Sequence, residues 1–455
     1  MSHTIKLKKG FNINLAGKAE KKLAECDQPK TFALKPTDFR GIQRPKLMVQ
    51  EGDNVKAGTP IFFCKMMEDV KYCAPVSGEI VEVKRGAKRK LLEIKILADK
   101  HIESEEYKKF SVSDLSKVKR EDAIDLMKKS GVWPNIIQRP YGIVANPDDT
   151  PKSVFISTFD TSPLAPDFDF ALRGEEKFFQ AGVDILAKLT KGKVHLGLSG
   201  NGEISSMFSN VKNVEVHKFV GKHPAGNVGV HIHHVDPVSK GDLVWTVGAF
   251  GVAQIGKLFL EGRYDASKVI ALTGSEVKKP KYYKTYTGAC IDACIKNNVA
   301  DSDVRFVSGN VLTGSKIRSD GYLGFYDQQV TVIPEGNHSE FLGWILPSTK
   351  KLSFHKAFGL FSFLNGKDQE YVIDTNTKGE HRAFVQTGVF EQVTPMDILP
   401  TYLIKAIMAE DYDDMESLGI YEMIEEDIAL CEFVDVSKNE LQQILREGLE
   451  LMKNS

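Results

Sequence analysis

The sequence lacks any apolar run long enough to cross a lipid bilayer. A transmembrane helix needs about 20 consecutive apolar residues, and the best candidate is only the short segment AFGLFSFL at 357–364. The first residues, MSHTIKLKKGF, also lack the apolar core of a signal peptide. The sequence therefore predicts a soluble chain on the cytoplasmic side, with no transmembrane segment.

An excess of charge of one sign is also missing. The 60 Lys and Arg residues are balanced by 61 Asp and Glu residues, which gives a formal net charge of −1. No basic cluster that would attract a polyanion interrupts this balance, so nucleic-acid binding is not expected. At 455 residues the chain exceeds one hydrophobic core and should form three or four domains.

Cysteine is scarce and scattered, with six residues in the whole chain and no CxxC pair. This excludes a disulfide scaffold and leaves no sequence motif for an iron–sulfur or structural zinc cluster. Cys290 and Cys294 would share one face if GACIDACIKNN were helical. For such a pair, a role as small core residues is favoured over redox chemistry.

Two short β segments stand out in the first hundred residues, VQEGDNVKAGTPIFF at 49–63 and APVSGEIVEV at 74–83. Each is entered through a glycine turn. The pattern resembles the flattened barrel of biotinyl and lipoyl carrier domains, in which a hairpin lysine holds the cofactor. The stretch from Lys65 to Gly78 looks longer than a carrier hairpin. We therefore expect a carrier-like β barrel over 1–100, without a cofactor on Lys65.

Strands and helices alternate between residues 101 and 274. Strands are predicted at 153–159, 193–199, 213–219 and 268–274, and helices at 121–129, at 174–189 and within 252–260. Such alternation is typical of a parallel, doubly wound, Rossmann-like sheet, which binds ligands at the carboxyl ends of its strands. The loop GLSGNGE at 197–203 does not have the GxGxxG spacing of a phosphate-binding loop.

The remaining sequence predicts two further domains. The pattern over residues 275–335 indicates a small α+β unit. Residues 336–455 have a mixed pattern followed by helices, which we place at 396–408, 422–431 and 439–452. WPNIIQRPYG at 133–142 contains two prolines and is predicted to be a loop.

Histidine is concentrated in one place, because five of the eleven lie between Val216 and Val235. The segment VGVHIHHV follows a glycine-rich turn and alternates like a strand, which would place His231 and His233 on one face and His234 on the other. Three roles remain open: ligands of a shared metal, proton carriers, and hydrogen-bonded structural residues. The third is favoured, since a third metal ligand is missing nearby.

Long collinear segments resemble one known family. They are KLKKGFNINLAG at 6–17, HPAGNVGVHIHHVDPV at 223–238, VWTVGAFGVAQIGKLF at 244–259, YLGFYDQQVTVIPEG at 322–336 and LGIYEMIEEDIALCEFV at 418–434. The chain resembles the A subunits of the bacterial sodium-translocating NADH:quinone oxidoreductases.

This resemblance implies a peripheral subunit on the cytoplasmic side of the inner membrane, bound to membrane subunits of the complex. NADH and quinone would be used by the complex, with FAD, FMN, riboflavin and iron–sulfur centres in other subunits. It further implies a degenerate, flavoprotein-like sheet domain related to respiratory complex I, followed by a β-grasp (SLBB-like) module. A non-catalytic scaffold, or the matching subunit of a ferredoxin-oxidising pump, remains the alternative.

For this chain the resemblance implies no catalytic residue, no resident cofactor and no metal. A site for the quinone head group is a hypothesis suggested by aromatic segments such as 341–344 and 357–364. The candidate residues for quinone binding or subunit contact are His231, His233, His234 and Trp344.

Overall fold

Four β sheets and a set of C-terminal helices make up the described part of the chain. The computed structural model describes residues 3–202, 206–300, 302–342, 348, 350–355 and 369–455. Besides the elements named below, short 3₁₀ turns occur at Pro36–Asp38, Ala87–Arg89, Leu115–Lys117, Trp133–Asn135 and Ile420–Glu422.

The N-terminal region is made of short strands. They are His3–Lys6 (β1), Glu20–Ala24 (β2), Thr31–Leu34 (β3), Pro45–Leu47 (β4), Asn54–Val55 (β5), Pro60–Cys64 (β6), Met67–Cys73 (β7), Gly78–Arg85 (β8) and Leu91–Ala98 (β9). Two small sheets, in the orders β3-β9-β8-β5 and β4-β6-β7, form the predicted β unit. The strands β1 and β2 instead join the two larger sheets.

The hairpin that carries Lys65 is short. Cys64 pairs with Met67 across β6 and β7, so Lys65 and Met66 alone form the turn. The expectation of a long stretch was therefore wrong. It treated all residues between the two glycine-turn segments as connection, although residues 67–73 themselves form a strand.

The next region combines strands and helices around a seven-stranded sheet. Its elements are Arg120–Ser130 (α1), Ile136–Arg139 (β10), Ile143–Val144 (β11), Ser153–Ser157 (β12), Phe168–Ala171 (α2), Glu176–Leu186 (α3), Val194–Ser199 (β13), Ser206–Ser209 (α4), Glu215–Val220 (β14), Val228–Val235 (α5), Val244–Val247 (β15) and Ala249–Glu261 (α6). The order is β1-β14-β13-β12-β15-β10-β11.

The first five strands of this sheet are parallel, and β10 and β11 add an antiparallel edge. From β12 the chain builds outward through β13 to β14, and then returns to place β15 on the other side of β12. The order therefore reverses between β12 and β15. In parallel sheets such a reversal opens a crevice at the carboxyl ends of the two strands.

The prediction of a loop at 133–142 was wrong in its middle part. Ile136–Arg139 is strand β10, which pairs antiparallel with β15. Its two prolines lie outside the paired residues, where they do not disturb the ladder. This pairing joins residues more than a hundred positions apart, so local composition did not reveal it.

The third region is a six-stranded sheet in the order β19-β18-β20-β16-β17-β2. Its elements are Ser267–Thr273 (β16), Lys281–Tyr286 (β17), Asp292–Ile295 (α7), Val304–Ser308 (β18), Ser315–Ile317 (β19) and Gln329–Pro334 (β20). The strand predicted at 268–274 exists, but it pairs here with β17 and β20 rather than in the parallel sheet. The predicted domain boundaries stay a prediction.

The C-terminal region is helical, as predicted. Its helices are Phe390–Val393 (α8), Pro400–Met408 (α9), Tyr412–Ser417 (α10), Glu425–Val434 (α11) and Leu441–Asn454 (α12). The first long helix begins at Pro400 rather than at 396. These helices share a core with α5 and the near face of the parallel sheet, through residues such as Phe155, Ile232 and Leu445.

Helices α3 and α6 approach each other closely on one face of the parallel sheet. A Cβ on Gly256 would lie 1.8 Å from the carbonyl oxygen of Phe178, and one on Gly182 would lie 2.0 Å from that of Val252. Only glycine fits at these two crossing points, because backbone rather than flexible side chain occupies the space.

We predict that Gly256→Ala destabilises the protein by about 1–3 kcal/mol or more, because the methyl group forces the two helices apart. Gly379→Ala is the control. Gly379 is exposed, and a Cβ there would lie 3.5 Å from the nearest heavy atom, which belongs to the Lys438 side chain, so its effect should stay within about 0.5 kcal/mol. Urea denaturation followed by circular dichroism measures both, and equal stability of the two variants would contradict the crossing described.

Candidate functional site

A cavity of about 480 Å³ lies where β12 and β15 end, at the reversal of strand order. This volume is within the range of small-molecule sites. All four regions of the chain contribute to its wall. The wall includes Arg40, Arg139, Phe159, His223, Tyr326 and Glu426.

A buried arginine crosses the floor of this cavity. Arg139, at the end of β10, is 2% exposed; its Nη1 donates to Oδ2 of Asp427 at 2.9 Å and its Nη2 to Oε1 of Glu426 at 2.7 Å. Both carboxylates belong to the first turn of α11. Burial alone would lower the pKa of Arg139, but the attraction of Asp427 and Glu426 outweighs it and raises that pKa. The guanidinium therefore stays charged.

Asp427 also explains why VGVHIHHV is the helix α5 rather than the predicted strand. Its carboxylate lies within 2.6 Å of the point that a Cβ on Gly229 would occupy, in the first turn of α5. A negative charge there stabilises a helix through its N-terminal dipole. The carbonyl of Glu426 also accepts a hydrogen bond from Nδ2 of Asn227, the residue before α5. These distant contacts override the strand preference of the valines and isoleucine.

Two buried nitrogen atoms at the cavity have no hydrogen-bond partner among the described residues. They are Nε of Arg139 and Nε2 of His223. Thr161 Oγ1 accepts from Gly226 N–H at 2.9 Å, so its hydroxyl is free to donate to Nδ1 of His223 at 3.1 Å. When the hydroxyl donates, the imidazole proton is on Nε2. Both residues line the cavity, although neither of these two nitrogen atoms is itself exposed to it.

Burial shifts the pKa of several groups at this cavity. It lowers the pKa of His223, partly offset by Asp160, so the ring is neutral at physiological pH. It raises the pKa of Asp38. Burial, together with the adjacent negative charge of Asp427, raises the pKa of Glu426 to about 7. The Glu426 side chain is 39% exposed, because it borders the cavity.

We predict that Glu426 makes stability depend on pH. Its carboxyl group binds a proton more tightly in the folded chain than in the unfolded chain. The stability that results from this difference is fully present below about pH 4.5, and it is lost as the pH rises through about 7. Glu426→Gln should therefore match the wild type near pH 5 and exceed it at pH 8. The difference should be on the order of 1 kcal/mol, because solvent in the cavity screens the charge.

Urea denaturation at the two pH values measures this difference. Glu447→Gln, on the exposed side of α12, is the control and should follow the wild type at both. If the free energy of unfolding of Glu426→Gln does not rise relative to that of the wild type between pH 5 and pH 8, the raised pKa of Glu426 is contradicted.

The three histidines singled out in the sequence have separate partners. His231 is buried, stacks on Phe219 with ring centroids 3.9 Å apart, and lies 2.9 Å from the carbonyl of Ala225 through Nε2. Burial lowers its pKa to about 3. His234 lies 2.8 Å from the carbonyl of Pro395 through Nε2. These positions do not bring the three together around one metal ion.

His233 has a defined tautomer. The N–H of Asp397 donates to its Nε2 at 2.9 Å, so the ring proton is on Nδ1, which lies 2.7 Å from Oε2 of Glu422. The favoured hydrogen-bonded role is thus what the geometry shows for all three side chains, on a helix rather than a strand. Their part in quinone binding or subunit contact stays a prediction.

The other sequence candidates are placed as follows. Trp344 and the segment 357–364 lie outside the described residues. Phe341 is described and is 87% exposed. Cys294 has its Sγ 3.7 Å from that of Cys26, and Cys290 is buried near the backbone of Asp320.

Sequence reasoning missed Glu426, Asp160 and Tyr326 as cavity residues. One signal was available for Asp160, because the polar run DTS directly follows the first parallel strand, at the edge where ligands bind. No local signal marked Glu426, whose position depends on the docking of α11. Arg139 lies in the segment 133–142, which was predicted to be a loop.

Comparison with known families assigns three segments of the chain. Residues 5–99 match the NqrA N-terminal barrel-sandwich hybrid domain, residues 118–264 the NqrA second alpha/beta domain, and residues 269–319 the NQRA C-terminal domain. The chain belongs to the NqrA family, the A subunits of Na(+)-translocating NADH-quinone reductases. The predicted order of a β domain followed by an α/β domain is confirmed.

Named relatives span the whole chain. The A subunit of the Na(+)-translocating NADH-quinone reductase of Pasteurella multocida is 37% identical over 448 residues, which cover 98% of each chain. The protein of the same name from Alcanivorax borkumensis is 37% identical over 446 residues, again 98% of each chain. A solved NAD+-reducing [NiFe]-hydrogenase, in the air-oxidized state, is 12% identical with a TM-score of 0.38 over 76% of this chain and 68% of its own; this similarity is too low to carry an argument.

Proposed function

We propose that this chain is the peripheral NqrA component of a Na+-translocating NADH:quinone reductase and acts only within that complex. The support is its similarity to proteins of that name along their full length. The described residues contain no helix of the length and apolarity that a membrane span requires. In this proposal the chain docks on membrane subunits at the cytoplasmic face, and the flavin and iron–sulfur centres lie in other subunits.

Within the complex, we propose that the cavity at the strand reversal receives the quinone head group. The observation that carries this proposal is that Arg139 and His223 line the cavity and that each has a buried nitrogen atom without a hydrogen-bond partner among the described residues. A quinone ring presents two carbonyl oxygens that only accept hydrogen bonds. Leaving buried donors unpaired costs about 1–3 kcal/mol each, so an acceptor ligand would be stabilised there.

The aromatic walls of the cavity also favour a flat ring. The side chains of Phe159, Phe168 and Tyr326 line it together with the polar groups. Offset stacking on such rings stabilises a planar ligand. Sites of this kind combine apolar walls with a few convergent polar groups.

We also propose a specific fold for the parallel sheet and for the six-stranded sheet. The strand order β14-β13-β12-β15 has the arrangement of a Rossmann-like half, and a flavoprotein-like sheet domain would place its ligand at this reversal. We propose that the crevice of a degenerate domain of this kind now takes quinone, and that the six-stranded sheet includes the β-grasp module. The relatives are named for quinone reduction, which argues against the ferredoxin-oxidising alternative.

We predict that a water-soluble short-chain quinone binds the purified full chain saturably, and that His223→Leu weakens binding at least tenfold. The variant removes one donor, and tenfold corresponds to about 1.4 kcal/mol. Calorimetric titration measures both affinities. His101→Leu, an exposed histidine outside the cavity, is the control and should bind like the wild type.

A parallel titration of Trp344→Ala separates the two candidate locations. Loss of binding in Trp344→Ala, with His223→Leu unaffected, would place the quinone at the aromatic segment instead and contradict the cavity assignment. Absence of saturable binding to the wild type would contradict quinone binding by any part of this chain.

The role within a complex gives a separate prediction. The purified chain should show no flavin or iron–sulfur absorbance and no NADH oxidation, whereas an affinity-tagged chain should copurify from detergent-solubilised membranes with an NADH-dependent quinone reductase. A prosthetic group bound to the chain alone, together with NADH oxidation, would contradict it.

A further inference from the structure

Three polar side chains of a kind that binds metals meet on strands β13 and β14, outside the lining of the cavity. His195 is near the start of β13, and Glu215 and His217 are in the first half of β14. His195 pairs in register with Glu215, and Gly197 pairs with His217. Because side chains alternate along a strand, all three lie on one face of the sheet.

The distances between their ligand atoms match those of a coordination site. Nδ1 of His195 lies 3.1 Å from Nε2 of His217 and 3.6 Å from Oε2 of Glu215. All three atoms are within 4.8 Å of one another. Zinc binds nitrogen and oxygen at about 2.0–2.2 Å, and a tetrahedral angle then separates two ligand atoms by about 3.3–3.5 Å. The first two separations, from His195 to His217 and to Glu215, need changes of only a few tenths of an ångström.

The three groups are also in the protonation states that metal binding needs. Burial, followed by the neighbouring His217, lowers the pKa of His195 to about 4, and burial lowers the pKa of His217. Both imidazoles are therefore neutral at physiological pH, as ligands must be. Hydrogen bonding to Lys193 lowers the pKa of Glu215, which keeps the carboxylate ionised.

Lys193 is the one cation among the described residues that contacts this carboxylate and so opposes a metal ion. Its Nζ contacts Oε1 of Glu215, which leaves Oε2 directed at His195. The Lys193 side chain is 65% exposed and can turn toward solvent. Glu215 is also the most exposed of the three ligands, so an ion can enter from the surface.

We propose that His195, Glu215 and His217 form a binding site for a divalent transition-metal ion of the zinc type. Two nitrogens and one carboxylate oxygen suit this class, whereas calcium and magnesium prefer oxygen ligands alone. Three protein ligands leave one tetrahedral position for water. His3 lies on the neighbouring strand β1, in register with His217. The rings of His3 and His217 are stacked, with their centroids 6.5 Å apart.

A second cluster provides a contrast within the same chain. His338, Glu340 and Asp374 also lie close together. However, His338 is exposed, and the carboxylates of Glu340 and Asp374 already form ion pairs with Lys378. A metal ion would have to displace Lys378 and also Lys351, which pairs with Glu340, while gaining only one nitrogen ligand, so this second cluster is the less suitable one.

The test is a zinc titration of the full chain, purified after treatment with a chelator and measured against a competing chromophoric chelator. We expect one zinc ion per wild-type chain, with affinity lowered at least tenfold in Glu215→Gln and in His217→Gln. His338→Gln should bind zinc like the wild type. With cobalt in place of zinc, the wild type should show the visible absorption of tetrahedral coordination. This absorption should be absent in Glu215→Gln and in His217→Gln.

A gain of affinity guards against variants that merely fold poorly. Lys193→Gln removes the competing cation and should strengthen zinc binding severalfold. Zinc should also raise the thermal unfolding temperature of the wild type but not of Glu215→Gln. Absence of saturable zinc binding, or binding lost in His338→Gln and retained in His217→Gln, would overturn the proposal. If His195 and His217 only form a hydrogen bond with each other, no saturable zinc binding will be observed.

Discussion

Three consecutive acidic residues at the start of α11 connect otherwise separate parts of the chain. Glu425 binds Arg446 of α12 through two short contacts of 2.6 and 2.7 Å, and it also binds Arg40 of the N-terminal region at 2.8 Å. The next two residues bind Arg139 of the parallel sheet. The first turn of one helix therefore holds the N-terminal region, the sheet and the last helix in fixed relation.

The position of these carboxylates is favourable for α11 itself. Negative charge near the first turn complements the helix dipole, and Oδ2 of Asp427 accepts a hydrogen bond from the N–H of Ile424. The charge on Arg139 is nevertheless costly to bury, and a buried ion pair of this kind contributes little net stability. What it contributes is a defined geometry, because removing Arg139 would leave the fully buried carboxylate of Asp427 unpaired.

The same ionic contacts explain why a cavity persists at the strand reversal. Charged and polar side chains that line a space lose solvation if the wall collapses onto them, so an open, hydrated space is the lower-cost arrangement. Glu426 is at this boundary, with one oxygen on Arg139 and access to the cavity. A group with a pKa of about 7 at such a place exchanges its proton near physiological pH. The arrangement therefore joins a structural contact to a site able to take up a proton.

The sequence alone predicted the elements whose patterns are local. The amphipathic helix α3, the apolar strands β12 to β14 and helix α12 lie close to their expected positions, since each is determined by its own periodicity. The wrong predictions for α5 and for β10 have a different cause. Helix α5 depends on Asp427, which is about two hundred residues away, and β10 depends on pairing with β15. Contacts of that range leave no local pattern.

The candidate site depends even more on distant contacts than α5 and β10 do. Asp38 comes from the N-terminal region, Arg139 and His223 from the parallel sheet region, Tyr326 from the third region and Glu426 from the C-terminal helices. Each of these residues occurs in a segment that has an ordinary structural explanation by itself. Their chemistry arises only when four regions are brought to one edge of a sheet by long-range ion pairs and hydrogen bonds. A site assembled in this way has no motif, and a family resemblance alone identifies the complex in which it would work without locating the site.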